Sequence, residues 1–331
     1  MATLLDTLAS RQLLVVTGKG GVGKTTVAVA LGAALADAGR RTLILEVDPR
    51  ENAHRLLGVA PSGGEIAPVR PRLFLQNLRP RAVLDQLVRE QVRIGPVVRR
   101  ILASEIYRHF AEGAPGFKEL AILGHAARLV RGLDSVDPRR ARSDRDASAR
   151  TPEVDVVVLD APATGHGLSL LLAPRLTAST VGKGPFGHLA SELAAMVDDP
   201  ARTGVVIAAA AEEIPMHEAL ESLARLRGEL GCEAEAVVVN GLLPPLPVDP
   251  ATSASSGAAA GASGAEPDGA AADDPAGRLW RDRRAVQERE LARLAAAWRG
   301  PRVELPLLAL EGGPALVEAL AARLARAEAE A

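Results

Sequence analysis

Cysteine is almost absent from this chain: Cys232 stands alone among 331 residues. A single thiol can form neither an internal disulfide nor a cysteine metal cluster within one subunit, and it fits a reducing compartment. Aromatic residues are scarce as well, at 2%, so a core must be built from Leu, Val, Ile and Ala. No run of 18 apolar residues occurs, and MATLLDTLASRQ at the N-terminus has no positive charge ahead of an apolar stretch. Neither a membrane span nor a signal peptide is expected, and the expected compartment is the cytoplasm. An excess of one charge is lacking too. The 39 basic side chains meet 41 acidic ones for a net charge of -2, which gives no electrostatic case for nucleic acid or a membrane surface as the main partner.

What the chain does have is apolar bulk: 47% hydrophobic residues against 24% charged ones, the composition of a globular protein with a large core. Short apolar runs alternate with longer helical patterns. That alternation predicts an α/β fold with a mostly parallel, wide sheet and helices on both faces, residues 1–331 forming one unit. Strands are expected at Leu13–Thr17, Thr42–Val47, Leu73–Leu78, Val154–Leu159, Gly204–Ala209, Ala234–Val239 and Arg302–Leu305. Between the first two, Val27, Ala30, Leu31, Ala34, Leu35 and Ala38 recur at helical spacing and Gly39 offers a left-handed stop. Residues 131–150, rich in Arg and Asp, and 244–277, rich in Ala, Gly, Ser, Asp and Pro, bury too little apolar area to offset their ordering entropy. Both are expected to be mobile insertions.

The chemistry concentrates where the first strand gives way to its helix. Gly18-Lys19-Gly20-Gly21-Val22-Gly23-Lys24-Thr25 satisfies G-x-x-x-x-G-K-[ST] between a strand and a helix, followed by Thr26. Glycines let backbone N–H groups curl around phosphate oxygens, and the helix beginning near Lys24 points its positive dipole end at the same anion. Such a loop binds ATP with Mg²⁺: Lys24 would meet the β- and γ-phosphates, and the Thr25 hydroxyl would ligate the metal. The plain alternative for Lys19 is a solvated turn lysine.

A lysine directly after the first glycine, in G-K-G-G-V-G-K-T-T, resembles the deviant Walker ATPases, a superfamily in which this lysine reaches across a dimer interface to the partner's ATP. Asp48-Pro49-Arg50-Glu51-Asn52 and Asp160-Ala161-Pro162-Ala163-Thr164-Gly165-His166 look like the switch I and switch II segments of one branch, the arsenite-pump and tail-anchored-protein-targeting ATPases. Ala114-Pro115-Gly116-x-x-Glu119, Val239-Asn240 and Leu305-Pro306-Leu307-Leu308 follow in the family's order. The resemblance implies that Asp48 positions or activates the attacking water and that Asp160 holds Mg²⁺ through water. It also implies that Asn240 reads adenine with Pro306 nearby, and that His166 is a switch element. It further implies a homodimer, or a heterodimer with a paralogue, that closes on ATP and acts on a protein client. For Asp48 and Asn240 the alternative is a turn residue after a strand, and for His166 a packed or capping residue.

Departures from that family narrow the expectation. Residues 242–250 contain no cysteine, so the zinc that members clamp with a C-x-x-C pair is not expected. Arsenite binding through several cysteines is not expected either. Only Arg175–Thr203, with Met196 as its single methionine, stands where members carry a long Met-rich client groove. Two other readings stay open: a partition or division-type positioning ATPase that binds DNA or membrane, and a non-catalytic module that merely holds nucleotide. The Arg-rich stretches 139–150 and 281–284 interleave with acidic residues and are expected to be solvated.

Overall fold

In the computed structural model of the chain the described residues are 3–48, 50–91, 94–105, 107, 113, 116–132, 153–162, 167–181, 185–245 and 275–327. Among them eight strands form one sheet: β1 (Leu13–Thr17), β2 (Thr42–Glu46), β3 (Ala67–Arg70), β4 (Leu73–Asn77), β5 (Val156–Asp160), β6 (Thr203–Ala210), β7 (Ala236–Leu242) and β8 (Arg302–Pro306). Their spatial order is β3-β4-β2-β5-β1-β6-β7-β8. Every pairing is parallel except β3 with β4, which is antiparallel. The α/β class with a wide parallel sheet therefore holds.

The eighth strand, β3, is the one that periodicity missed. It is a short edge strand containing Pro68, with no fully buried residue, and proline is tolerated at an edge because it removes a ladder donor there without loss. The central strands read differently. β1, β2 and β5 are buried along their whole length, as a parallel strand covered on both faces must be.

One face is covered by α1 (Leu4–Ala9), α2 (Lys24–Asp37), α3 (Ala53–Leu57) and α11 (Pro314–Leu324), the other by α4 (Pro80–Gln91), α6 (Phe117–Val130), α7 (Gly167–Val181), α8 (Pro185–Asp198) and α9 (Glu213–Arg225), with α10 (Pro275–Ala297) against α9. A further helix, α5 (Gly95–Ala103), packs on α4. Among the described residues the crossover from β4 to β5 thus carries these three helices, α4, α5 and α6. Helix α2 is buried all round from Val27 to Ala36, because its inner face meets the sheet and its outer face meets α11. The helix α11 packs chiefly on α2. Met196 is 1% exposed inside the core, so it offers no open methionine surface.

Of the two stretches expected to be mobile insertions, residues 133–150 and 246–274 lie outside the described residues. Their flanks belong to ordered structure. Arg131 pairs with Glu192 at 3.0 Å, and residues 275–277 open α10. No described helix is long and apolar enough to cross a membrane.

From β1 the chain moves to one side of the sheet, to β2, and from β5 it returns past β1 to β6 on the other. The strand order reverses at β1, and ligands of open α/β sheets bind outside the carboxyl ends of the strands at such a switch point.

Candidate functional site

The loop after β1 is shaped by two close approaches that exclude a side chain. Gly18 (φ 147°) lies so near β6 that an added Cβ would meet the Ala208 carbonyl oxygen at 2.1 Å, and Gly23 (φ 87°), which caps α2, would meet Asn240 Nδ2 at 2.3 Å. Asn240 stands near the end of β7, and its Nδ2 donates to the Val22 carbonyl at 3.0 Å. Gly20 and Gly21 continue the loop, with Gly21 in the left-handed region at φ 88°. Thr26 lies in the first turn of α2 beside Gly23.

Lys24 begins α2 and is 7% exposed. Its Nζ donates to the Lys19 carbonyl at 2.9 Å, folding the side chain back over the loop. Burial lowers its pKa, opposed by the charges of Asp160 and Asp48. Both carboxylates therefore lie within electrostatic reach of this ammonium. The next residue fixes the geometry of one of them: Thr25 Oγ1 donates to Asp160 Oδ2 at 2.6 Å.

Asp160 closes β5, 4% exposed, and its Oδ1 has no hydrogen-bond partner. Burial pushes its pKa up to about 7. The Thr25 bond works the other way, Glu46 raises it further, Lys24 lowers it and Asp48 raises it. A bare carboxylate oxygen among a lysine and two further acids is costly without a counter-charge. A hydroxyl and a carboxylate, both hard oxygen donors converging beside a phosphate loop, suit Mg²⁺. The residues fit that ion.

Asp48 follows β2. Its Oδ1 accepts from its near neighbour, the Arg50 N–H, at 2.8 Å, and its carbonyl accepts from Asn77 Nδ2 at 2.6 Å. Lys19 is turned away from the loop and forms an ion pair with Glu218 of α9. Pro306 lies farther out, at the end of β8 opposite Leu242, in the wall of a cavity of about 360 Å³ together with Pro244, Arg284 and Gln287. Pro49, Ala163, Thr164, Gly165 and His166 lie outside the described residues.

Hydrogen bonds thus tie Lys24 to the loop at Lys19, Thr25 to Asp160, and Asn240 to Val22, and Asp48 lies within electrostatic reach of Lys24. Sequence reasoning passed over Glu46 and Asn77, buried at the ends of adjacent strands, and Glu218. The first two leave a faint signal, a polar side chain closing an otherwise apolar strand. Glu218, 199 residues from Lys19, leaves none.

Known proteins match the chain over a range that includes most of this corner. A family model described as anion-transporting ATPase matches residues 11–186. The chain belongs to the anion-transporting ATPase family. The matched range carries the glycine loop, Asp48 and Asp160, whereas Asn240 and Pro306 lie beyond it. The chain is 28% identical over 249 residues to ATPase BagA of Mycobacterium tuberculosis, which spans 72% of this chain and 67% of that protein. It is 28% identical over 248 residues to an arsenical pump-driving ATPase of Acidiphilium multivorum, spanning 69% of this chain and 39% of that protein. Over 200 residues it is 27% identical to ATPase asna-1 of Caenorhabditis elegans, spanning 55% and 52%.

Proposed function

We propose that this family member binds MgATP at the loop Gly18–Thr26 and hydrolyses it, with one nucleotide site in a single ATPase unit, and that hydrolysis changes how two subunits meet. The observation that carries this reading is the buried Asp160, hydrogen-bonded to Thr25 beside Lys24 with one carboxylate oxygen bare.

The loop N–H groups and Lys24 hold the β- and γ-phosphates, with the α2 N-terminus behind them. Thr25 directly, and Asp160 through water, would hold Mg²⁺, which when bound neutralises charge growing on the phosphate oxygens. Asp48 orients the attacking water in line with the γ-phosphate, and Asn240 meets the adenine edge, with Pro306 flanking the base. In the closed pair, a homodimer or a heterodimer with a paralogue, Lys19 exchanges Glu218 for the other subunit's phosphates. It thereby stabilises transition-state charge only when the subunits have met. The client is a protein. The near-neutral charge argues against nucleic acid and membrane, and the lone cysteine suits the cytoplasm.

A second reading, a module that holds nucleotide without turning it over, is favoured by the Lys19–Glu218 pair, which occupies the family's signature lysine within its own chain. Phosphate release distinguishes the two. Asp48→Asn should lower turnover at least about 10²-fold while ATP still binds, and Lys24→Ala should lose both. Stoichiometric ATP retention without phosphate release by the unmodified protein would select the holding module.

A further inference from the structure

Behind Asp48 lies a polar cluster that the proposed chemistry does not use. Glu46 closes β2 at 1% exposure, and Asn77 closes the neighbouring β4 at 4%. Glu46 Oε1 accepts from the Asn52 and Ala53 N–H groups at 2.8 and 3.2 Å. Its Oε2 accepts from Asn77 Nδ2 at 3.3 Å. The same Nδ2 donates at 2.6 Å to the Asp48 carbonyl. Asn77 is itself fixed, since its N–H donates to Ser62 Oγ at 2.8 Å.

Between these contacts the segment from Asp48 to Asn52 is held at both ends. Its first carbonyl is tied to β4, and its last N–H, together with the first N–H of α3, is tied to β2. Asn52 precedes α3 but makes no side-chain cap bond, so the buried glutamate supplies the acceptor that a helix start needs. A carboxylate under the apolar rows of Leu43, Ile44, Leu45, Leu73 and Leu75 is poor stability design, because a buried ionic group is commonly matched or bettered by an apolar one. Its bonds run to Asn77 and to the segment that follows Asp48. Position is what such a pair supplies.

We infer that Glu46 and Asn77 are positioning residues that anchor the Asp48–Asn52 segment to the ends of β2 and β4 and thereby set the place of the Asp48 carboxylate. The inference rests on the reading of Asp48 as the group that orients water, and it adds the device that holds it there.

The test uses the full chain and the variants Asn77→Ala, Glu46→Gln and the exchanged pair Glu46→Gln/Asn77→Asp, with Asp48→Asn alongside. Four quantities are read: phosphate release, the Kd for a fluorescent ATP analogue, Tm, and the rate of tryptic cleavage after Arg50, which is exposed within the segment. In the exchanged pair the new amide donates to the new carboxylate and still accepts from Asn52 and Ala53, so the buried pairing is kept. The donor to the Asp48 carbonyl is lost.

The two single variants should lower kcat by about ten- to a hundredfold, the effect of a misplacement near 1 Å, with Kd almost unchanged and Arg50 cut faster. The exchanged pair should keep kcat low and cleavage fast, because a carboxylate oxygen then faces the Asp48 carbonyl where the amide had donated. Recovery of kcat together with Tm would overturn the inference, since a purely structural pair behaves that way. Unchanged cleavage and kcat in Asn77→Ala would overturn it as well. If the unmodified protein releases no phosphate, or Asp48→Asn releases it normally, the catalytic reading of the site falls and the positioning role falls with it. The cleavage rates would then still report whether the segment is anchored.

Discussion

Two aspartates at the two ends of one strand live in opposite circumstances. Asp155, just before β5, takes three bonds from Arg41: from the N–H at 2.9 Å, from Nε at 3.2 Å, and from Nη2 to its other oxygen at 2.5 Å. Burial works against its charge, yet the guanidinium and the N–H outweigh it and its pKa is lowered. Asp160, five residues on, is buried with one oxygen bare and its pKa pushed up to about 7. The amino end of the sheet satisfies its carboxylate, and the carboxyl end leaves one carboxylate oxygen without a hydrogen-bond partner. An unsatisfied buried charge weakens a fold unless something binds there, so the contrast points to the end that works.

The comparison breaks most sharply in turnover. Asp160→Ala should lower Mg²⁺-dependent phosphate release by about 10²-fold or more, whereas Asp155→Ala should leave it unchanged; equal losses at the two ends would contradict the assignment of roles. Next comes stability in metal-free buffer. The folded protein binds the Asp160 proton more tightly than the unfolded chain does, because the pKa rises from 3.8 to about 7. The resulting penalty is absent below the unfolded value, grows as pH rises between the two, and is complete above the folded one. Every tenfold difference in proton affinity between the two states corresponds to about 1.4 kcal/mol. Asp160→Asn should therefore be more stable than the parent at pH 8 in EDTA, the two melting curves converging toward pH 4. A less stable variant at pH 8 would be the opposite of this expectation.

The amino end should show the reverse sign and a smaller size. Asp155→Ala should cost about 1–2 kcal/mol near neutrality, with part of Arg41 in solvent. That loss should fade as pH falls through the lowered pKa, since the contribution exists only while the carboxylate is charged. A stability gap that persists at low pH would mean the Arg41 bonds do not depend on charge. Smallest of all is Cys232, half-buried beside a cavity of about 300 Å³ near that same end. Cys232→Ser should alter stability by no more than about 0.5 kcal/mol and leave turnover intact.

The working end was the more legible of the two in the sequence, and the reason is local chemistry. The glycine spacing from Gly18 to Gly23, the apolar run before it and the helical recurrence after it are all written between Leu13 and Ala38, and β1 and α2 form where that pattern puts them. Asp160 could be read because it closes an apolar strand. Edge strand β3 could not, since exposed Pro68 and its half-buried neighbours carry no alternation. The helices between β4 and β5 were not placed, and sequence does not say that α2 offers a second apolar face for α11 to cover. Pairings that join distant segments, Lys19 with Glu218 and Glu46 with Asn77, exist only once the sheet has assembled.

The most direct measurement is phosphate release from ATP by the full chain, with Mg²⁺ and with EDTA, for the parent protein and Asp48→Asn side by side. Turnover that requires Mg²⁺ and collapses in the variant, while the ATP analogue still binds, is the predicted result. Turnover that persists in EDTA or survives in Asp48→Asn would contradict the account.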